Sequence, residues 1–527
     1  MFNRQKSTTK FVRKINPLIS SNDHSIENIF NTLIKNGQDK TALIWEENGI
    51  TKRLTYSDLS VEVNRYSNKI HYLFHNLKEG SIILLKLPNS KDWVITYFSI
   101  LKAGYKPFFI NPSLSEKDTI SLIKETHASG SISYKKENLQ IKSFTLEEIK
   151  KCEYNIPNNN KFQNEIIFST SGTTGKSRVF VFNGESIISQ LETSLLIPLE
   201  TNDVLYENKK ESLKILGITP FYHVFGFFTL LGWHLFYNST IVFPKENSIK
   251  GIIETVKKYR VTHIYYVPLF FDTIAKQIEQ KIKNQNVIEK NILKQAINKT
   301  LSNIKLNHSE KKRLKKLRKE IFGNQIKFLI SGGGQVLIST LKLLNGIGYP
   351  LHNGFGMTET AITSVELSQN IQDRIKGGIG HALSPVRYKL VIPKEDPKIS
   401  ELYIESKTVH VKRFENGKII LNDITKAFPT GDIAAMDSDG KFYIKGRIKD
   451  IIISSNGENV YPQEVESEFM NVENLDSFCV FGGSKKDSNI EKVILVYEIK
   501  ENLSDEKFKK IFKDLETINA TLPPNKK

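Results

Sequence analysis

The stretch IIFSTSGTTGKSRVFVF, Ile166 to Phe182, sets a hydroxyl- and glycine-rich loop between two apolar runs. The flanks Ile166-Ile167-Phe168 and Val179-Phe180-Val181-Phe182 read as short strands. Between them, glycines let the backbone approach an anion closely, hydroxyls and amide N–H groups donate to phosphate oxygens, and Lys176 adds a mobile positive charge. A P-loop requires Gly-x-x-x-x-Gly-Lys-Ser/Thr opening a helix. Here Thr170, not glycine, stands five residues before Gly175, and the residues after Lys176 are strand-like. The P-loop fails on spacing and on context. A plain polar hairpin turn is the simpler alternative, but a turn seldom gathers five hydroxyls beside Gly-Lys.

Outward from this loop, amphipathic helices alternate with short apolar strands. SIILLKLPNS is a strand entering a turn, KDWVITYFSILKAG is a helix closed by Gly104, and YKPFFINPS is the next strand. The alternation recurs at SLKILGITP, VTHIYYVP and QIKFLISGGG, which predicts mostly parallel α/β layers. After Glu401 the texture changes to short strands with Gly/Asp turns (SELYIES, GKIILN, DSDGKFYIKG), and a smaller α+β unit follows Gly446. The expected fold is α/β: a large N-terminal domain of several subdomains with mixed, mostly parallel sheets, then a small mobile α+β domain. The expected boundaries are a basic tail over 1–25, the large domain over 26–446 and the small one over 447–527.

Composition limits the function classes. With 527 residues and 39% hydrophobic content the chain has ample material for several cores. Its formal charge of +18 is spread along a sequence rich in Lys, Asn and Ile, so it reads as compositional bias, not as a nucleic-acid surface. The densest basic cluster, EKKRLKKLRKE from Glu310 to Glu320, has Leu314 and Leu317 at helical spacing and reads as a solvated helix face, with an anionic ligand or membrane as the alternative. Cys152 and Cys479 are too far apart in sequence to form a ligand cluster, and their scarcity fits a reducing compartment. The N-terminus lacks an apolar signal core and reads as a disordered basic tail or a transit peptide. The apolar run Phe221 to Tyr237 is short for a membrane span, contains His223 and His234, and reads as a buried helix. A cytoplasmic protein with room for peripheral membrane contact is the expectation.

The strand-end loops carry the remaining chemistry. ISGGGQ, Ile330 to Gln335, offers bare backbone to a flat ligand; HNGFGMTET, His352 to Thr360, offers Phe355, Thr358 and Glu359; PTGDI places Asp432 after a glycine turn. In open α/β folds, ligands gather beyond the carboxyl ends of strands. With these motifs the chain resembles the AMP-forming adenylating superfamily of acyl-CoA synthetases, luciferases and peptide-synthetase adenylation domains. TSGTTGKSR resembles its phosphate loop, NGFGMTET its adenine and magnesium loop, TGD its ribose loop, and PFYHVFG its aromatic-His substrate motif. GRIKDIIISSNGENVYPQEVE, Gly446 to Glu466, resembles its hinge and the start of its C-terminal domain.

The resemblance implies two half-reactions: a carboxylate attacks the α-phosphate of ATP, giving acyl-adenylate and pyrophosphate, and a thiol, usually of coenzyme A, then displaces AMP. It implies that Thr170, Ser171, Gly172, Thr173, Thr174, Gly175 and Lys176 hold the outer phosphates. Thr358 would touch the α-phosphate, and Glu359 would ligate Mg2+, a hard cation suited to oxygen donors. Phe355, Gly356 and the Gly332-Gly333-Gly334 backbone would sandwich adenine. Asp432 would accept the ribose hydroxyls and Arg447 would approach ribose or phosphate. Lys449 would be the hinge between half-reactions, Gly457 would line the pantetheine path, and His223 and Phe227 would face the acid. Taken singly, His223 is more often a core histidine, which the surrounding motif balances; Glu359 alone reads also as a helix-start charge and Asp432 as a turn aspartate.

Two departures stand out. The superfamily closes with a Gly-Lys loop whose lysine reaches the reacting carboxylate; this sequence stops at NATLPPNKK, the segment before it, so slow adenylation is expected. SELYIES also lacks the glycine usual there. The polar helical segment from Ile274 to Gly323, together with SSNGENVYP, resembles fatty acyl members. The aromatic motif carries no carboxylate for a substrate ammonium, which is costly to bury unpaired. A fatty acid is therefore expected first and an aryl acid second. Three readings stay open: a fatty acyl-CoA synthetase, an acyl-AMP ligase loading a carrier protein's phosphopantetheine, and an impaired acyl- or nucleotide-binding relative.

Overall fold

The computed structural model describes residues 17–154, 157–170, 178–197, 213–393, 399–453, 459–469, 472, 475–483, 492–499, 504–523 and 526. The chain divides into two compact units: Met1–Arg387 with Glu405–Lys426, and Tyr388–Ile404 with Ala427–Lys527. The α/β architecture expected from alternating patterns is present, with two large mixed sheets and a smaller C-terminal part.

The first unit holds both eight-stranded sheets. In one, Ile82–Lys86 pairs in parallel with Lys106–Phe109 and Gly130–Ser133, and Lys106–Phe109 pairs in parallel with Glu165–Ser169. The edge turns antiparallel through Val179–Asn183 and the hairpin Lys412–Glu415/Lys418–Leu421. In the other, Lys214–Leu216, Thr240–Val242, His263–Tyr266, Phe328–Ser331 and Leu351–Met357 form the parallel centre. Antiparallel strands Ile50–Thr55 and Ala361–Val365 close its two edges. Strands buried on both faces need continuous apolar runs, as at Ile83-Leu84-Leu85 and Phe328-Leu329-Ile330, all at most 2% exposed.

Side chains from both sheets meet in one core, including Leu85, Phe109, Phe168, Ile241 and Ile330. The helix Lys91–Lys102 starts where Ser90 Oγ accepts the Trp93 N–H at 3.2 Å, and Gly104 ends that segment at φ 91°. The apolar run expected as a buried helix is one: Val224–Gly226 is α-helical and Phe227–Leu235 continues as a π-helix. Among the described residues no helix is long and apolar enough to cross a membrane.

The second unit contains the four-stranded sheet of Arg387–Val391, Glu401–Glu405, Phe428–Met436 and Phe442–Arg447. Beyond it, the hairpin Leu475–Gly483/Lys492–Ile499 and the helices Pro462–Phe469 and Asp505–Thr521 share a separate core that includes Ile452, Val465, Phe469, Ile511 and Leu515. The boundary expected at 446/447 falls inside this unit, just ahead of that separate core.

Candidate nucleotide and acid site

The two short strands expected on either side of the hydroxyl-rich loop are formed, and they pair as a hairpin. Glu165–Ser169 and Val179–Asn183 pair antiparallel, with Ser169 opposite Val179. At its mouth the Thr170 N–H donates to the Arg178 carbonyl at 2.9 Å, and the Arg178 N–H donates to Thr170 Oγ1 at 3.1 Å. A strand, not a helix, comes after the loop, and the helix Gly184–Thr193 begins only after Asn183 caps it. Ser171, Gly172, Thr173, Thr174, Gly175 and Lys176 lie outside the described residues.

Gly332 to Gly334 leave the end of Phe328–Ser331 in the first unit. The Gly332 N–H donates to the Tyr266 carbonyl at 3.1 Å. A Cβ at Gly332 would come within 3.0 Å of the Phe225 ring, so the bare backbone packs closely against the tip of that ring. Gly333 is exposed with φ 83°, a conformation that suits glycine. Phe355, half-buried on the neighbouring strand, stands opposite Ser364. Around these strand ends Ser331 Oγ, Asn353 Oδ1 and Ser364 Oγ are buried without a hydrogen-bond partner among the described residues. A flat ligand with a polar edge, such as a purine, suits bare backbone, a ring and unused polar atoms.

Thr358 and Glu359 lie half-buried in the turn after Leu351–Met357. A segment distant in sequence straps this turn down. The His410 N–H donates to the Glu359 carbonyl at 2.9 Å, His410 Nδ1 lies 3.0 Å from the same oxygen, and Thr408 Oγ1 donates to the Thr360 carbonyl at 2.9 Å. Burial lowers the His410 pKa to about 4, so the strap is neutral. Sequence reasoning missed Thr408 and His410; their only signal was the alternation of Val409 and Val411 with polar residues leading into Lys412–Glu415, which joins the sheet beside Val179–Asn183. A single carboxylate at Glu359 fits Mg2+, which commonly takes few protein ligands and completes its shell with phosphates and water. Among the described residues no cluster of three or more metal-ligating side chains exists.

In the acid motif, Asn89 Oδ1 accepts the Phe221 N–H at 2.9 Å, and its amide donates to the Thr219 carbonyl at 2.7 Å. Gly226 is required there, because a Cβ would meet the Pro220 carbonyl oxygen at 2.2 Å. His223 caps the start of the short helix, and its ring lies tilted against Tyr222 with the centroids 4.6 Å apart. Burial lowers the His223 pKa, favouring the neutral imidazole, and raises that of Tyr222, with Tyr266 adding to the latter. Phe227 is 2% exposed and packs among Trp93, Tyr97, Phe109 and Phe168, inside the core. The ring that lies against the Gly332 backbone is Phe225, two residues earlier; helix phase, invisible in a run of aromatics, made the difference.

In the second unit, Asp432 and Arg447 face each other on adjacent strands. Arg447 Nε lies 2.9 Å from Asp432 Oδ1, with the aspartate side chain 3% and the arginine 43% exposed. Gly431, at φ 72°, donates its N–H to Glu401 Oε1 at 3.0 Å, and the Asp432 N–H donates to Thr430 Oγ1 at 3.0 Å. Lys449 is exposed in the single turn Ile448–Asp450. Gly457 lies outside the described residues.

A mixed two-sheet α/β unit with glycine-rich turns at its strand ends is the architecture expected from the motifs. The family described as AMP-binding enzyme matches residues 30–409, and the chain belongs to it. It is thus an AMP-forming ligase, in accord with the resemblance read from the motifs. The chain is 22% identical over 460 residues to the 2-succinylbenzoate–CoA ligase of Bacillus pumilus (strain SAFR-032), covering 81% of this chain and 79% of that one. It is 25% identical over 381 residues to the chloroplastic long-chain-fatty-acid–[acyl-carrier-protein] ligase AEE15 of Arabidopsis thaliana, covering 61% and 49%. The fold matches o-succinylbenzoate CoA synthetase (MenE) from Bacillus subtilis in complex with its acyl-adenylate intermediate at TM-score 0.71, with 18% identity and coverage of 95% and 93%. The same enzyme with ATP and magnesium ion matches at TM-score 0.70, with 18% identity and coverage of 95% and 94%.

Proposed function

We propose that this ligase uses ATP and Mg2+ to convert a carboxylic acid to its acyl-adenylate, releasing pyrophosphate, and then passes the acyl group to the thiol of coenzyme A. The observation that carries this reading is the Gly332 backbone lying against Phe225, which brings the adenine loop and the acid motif together within the first unit. Lys176 and the loop hydroxyls neutralise the outer phosphates, and Glu359 ligates the magnesium ion. Phosphoryl and adenylyl transfer of this kind rest on positioning and charge neutralisation. Thr358 donates to the α-phosphate, Asp432 orients the ribose, and Arg447 pairs with Asp432 beside it. His223, neutral by burial, contacts the acid without adding a fixed charge. The small domain over 447–527 turns about Lys449 to bring the Gly457 backbone to the thiol.

Tyr222, Phe225 and Tyr266 give the acid motif aromatic walls, and the relative from Bacillus pumilus is named for an aryl acid. An aryl acid is therefore placed ahead of the fatty acid that the sequence alone favoured. The fatty acid keeps a second place because of the Arabidopsis relative, as does a carrier-protein thiol as acceptor. Pyrophosphate release measured over a panel of aryl and alkyl acids tests the first step, and thiol-dependent AMP release with coenzyme A or a phosphopantetheinyl carrier tests the second. Pyrophosphate release with no acid in the panel would overturn the substrate class. AMP release with the carrier alone would replace coenzyme A.

A further inference from the structure

Three helices precede the glycine loop: Pro268–Lys283, Val287–Leu301 and His308–Glu320. The nucleotide chemistry uses none of their outward side chains. Between Val287 and Glu320 eleven basic residues accompany three acidic ones. Two of those acids are consumed locally, Glu289 by Arg313 and Glu310 by Lys299 at 2.6 Å, and the third, Glu320, pairs with Lys281 at 3.0 Å.

The charge left over is ordered on surfaces. In His308–Glu320, Leu314, Leu317 and Glu310 are buried on one side. Lys311, Lys312, Lys315, Lys316 and Lys319 recur at helical spacing on the other, all exposed and none in an ion pair among the described residues. In the middle helix, Val287, Lys290 and Lys294 share a face by the same spacing. Lys283, Lys290 and Lys294 line a groove of about 460 Å3 whose apolar wall is Ile282, Ile297 and Leu343 and whose one acid is Glu279. Val287 and Ile288, at the start of that helix, are 73% and 72% exposed. The Arg313–Glu289 ion pair ties this helix start to the middle of the lysine helix, so the apolar pair and the charged face are neighbours.

We propose that this three-helix face docks the protein on an anionic lipid bilayer. Val287 and Ile288 enter the interface, the groove lysines take headgroup phosphates, and the lysine helix supplies the long-range attraction. Exposed aliphatic side chains beside a one-sided lysine face match the physics of interfacial attachment, where apolar burial and attraction to anionic headgroups add. The residue types argue against a nucleic acid. The two arginines of the third helix are turned to internal partners, Glu289 and the Ile347 carbonyl, and the face offers lysine point charges with no aromatic ring for base stacking. The proposal is independent of the acid and acceptor assigned above.

Flotation of the full chain with phosphatidylcholine vesicles, with and without about one third phosphatidylglycerol, tests it. Binding is expected only to the anionic vesicles and should weaken as salt rises from about 0.1 M to about 0.5 M. Each lysine at such a surface contributes about fivefold, so K312Q/K315Q/K319Q, which removes three charges, should lower partitioning by about a hundredfold. K290E/K294E should lower it in the same sense, and V287N/I288N should lower it while keeping the salt dependence. Unchanged melting temperatures and ATP-dependent pyrophosphate release in these variants would show the fold intact. No flotation with anionic vesicles, or flotation insensitive to all three variants, overturns the proposal. Binding to soluble heparin that matches vesicle binding and ignores V287N/I288N overturns it too, in favour of a soluble polyanion.

Discussion

Asp432 shows how little the residue name conveys without its partner. As a sequence, TGD is compatible with an ordinary turn, yet Asp432 lies inside the strand Phe428–Met436, its carboxylate 3% exposed and bonded to Arg447 on the adjacent strand. Removing one partner of a buried hydrogen-bonded group costs about 1–3 kcal/mol. Asp432→Ala should weaken ATP binding by about that amount, as read by calorimetry, and unchanged affinity would remove Asp432 from the ribose. His410 makes a separate prediction, about acid. Its pKa falls from 6.5 to about 4 through burial, partly opposed by the hydrogen bond to the Glu359 carbonyl. The unfolded chain therefore binds the proton first as pH drops. The contribution to stability is full above pH 6.5 and is lost as pH falls toward about 4, a window worth about 3 kcal/mol. His410→Asn should flatten the pH dependence of unfolding free energy between those values. An unchanged slope would show that other groups carry it.

At the scale of the element, the turn from Thr358 to Thr360 is held by two residues some fifty positions further on, Thr408 and His410. Such a strap fixes the backbone of Glu359, whose carboxylate is the proposed magnesium ligand. Glu359→Gln keeps shape and removes charge, so pyrophosphate release should fall to background while the circular dichroism spectrum and melting temperature stay put. Full activity at ordinary magnesium would exclude the metal role. The acid motif depends on close backbone contact in the same way. A Cβ at Gly226 would meet the Pro220 carbonyl at 2.2 Å, so Gly226→Ala should destabilise the protein by about 3 kcal/mol, seen as a lower denaturant midpoint. An unshifted midpoint would show that the turn can open without cost. Helix, strand and turn types at these places were legible from periodicity and glycine placement. Which ring of Phe225 and Phe227 faces the glycine loop was not, because an all-apolar run carries no phase.

At the scale of the whole molecule, the chain returns to parts already built. Residues 405–426 leave the second unit's sheet to add a hairpin to the first unit's, carrying the strap with them. The second unit carries the Asp432–Arg447 pair and, after it, the separately cored segment that begins near Ile452. Lys449 lies between these two parts, on an exposed single turn. Proline at 449 would fix φ and block a large backbone rotation. Lys449→Pro should therefore keep pyrophosphate release and lose thioester formation from supplied acyl-adenylate. Loss of both half-reactions, or of neither, would remove the hinge assignment.

What the sequence determined by itself is local or repetitive. Alternating apolar segments required layered α/β structure, because backbone pairing and side-chain burial act on neighbours along the chain. Glycine and hydroxyl loops between strands pointed to nucleotide chemistry, because glycine lets the backbone approach an anion and hydroxyls donate to it. The tertiary structure decided what depends on residues distant in sequence: the Asp432–Arg447 pairing, the strap on Glu359, the choice of Phe225 over Phe227, and the joining of Glu289 to Arg313 that sets an apolar tip beside a lysine face. Each of these is a contact across strands, helices or loops, and no short-range pattern encodes which partner a side chain meets once the sheets have packed.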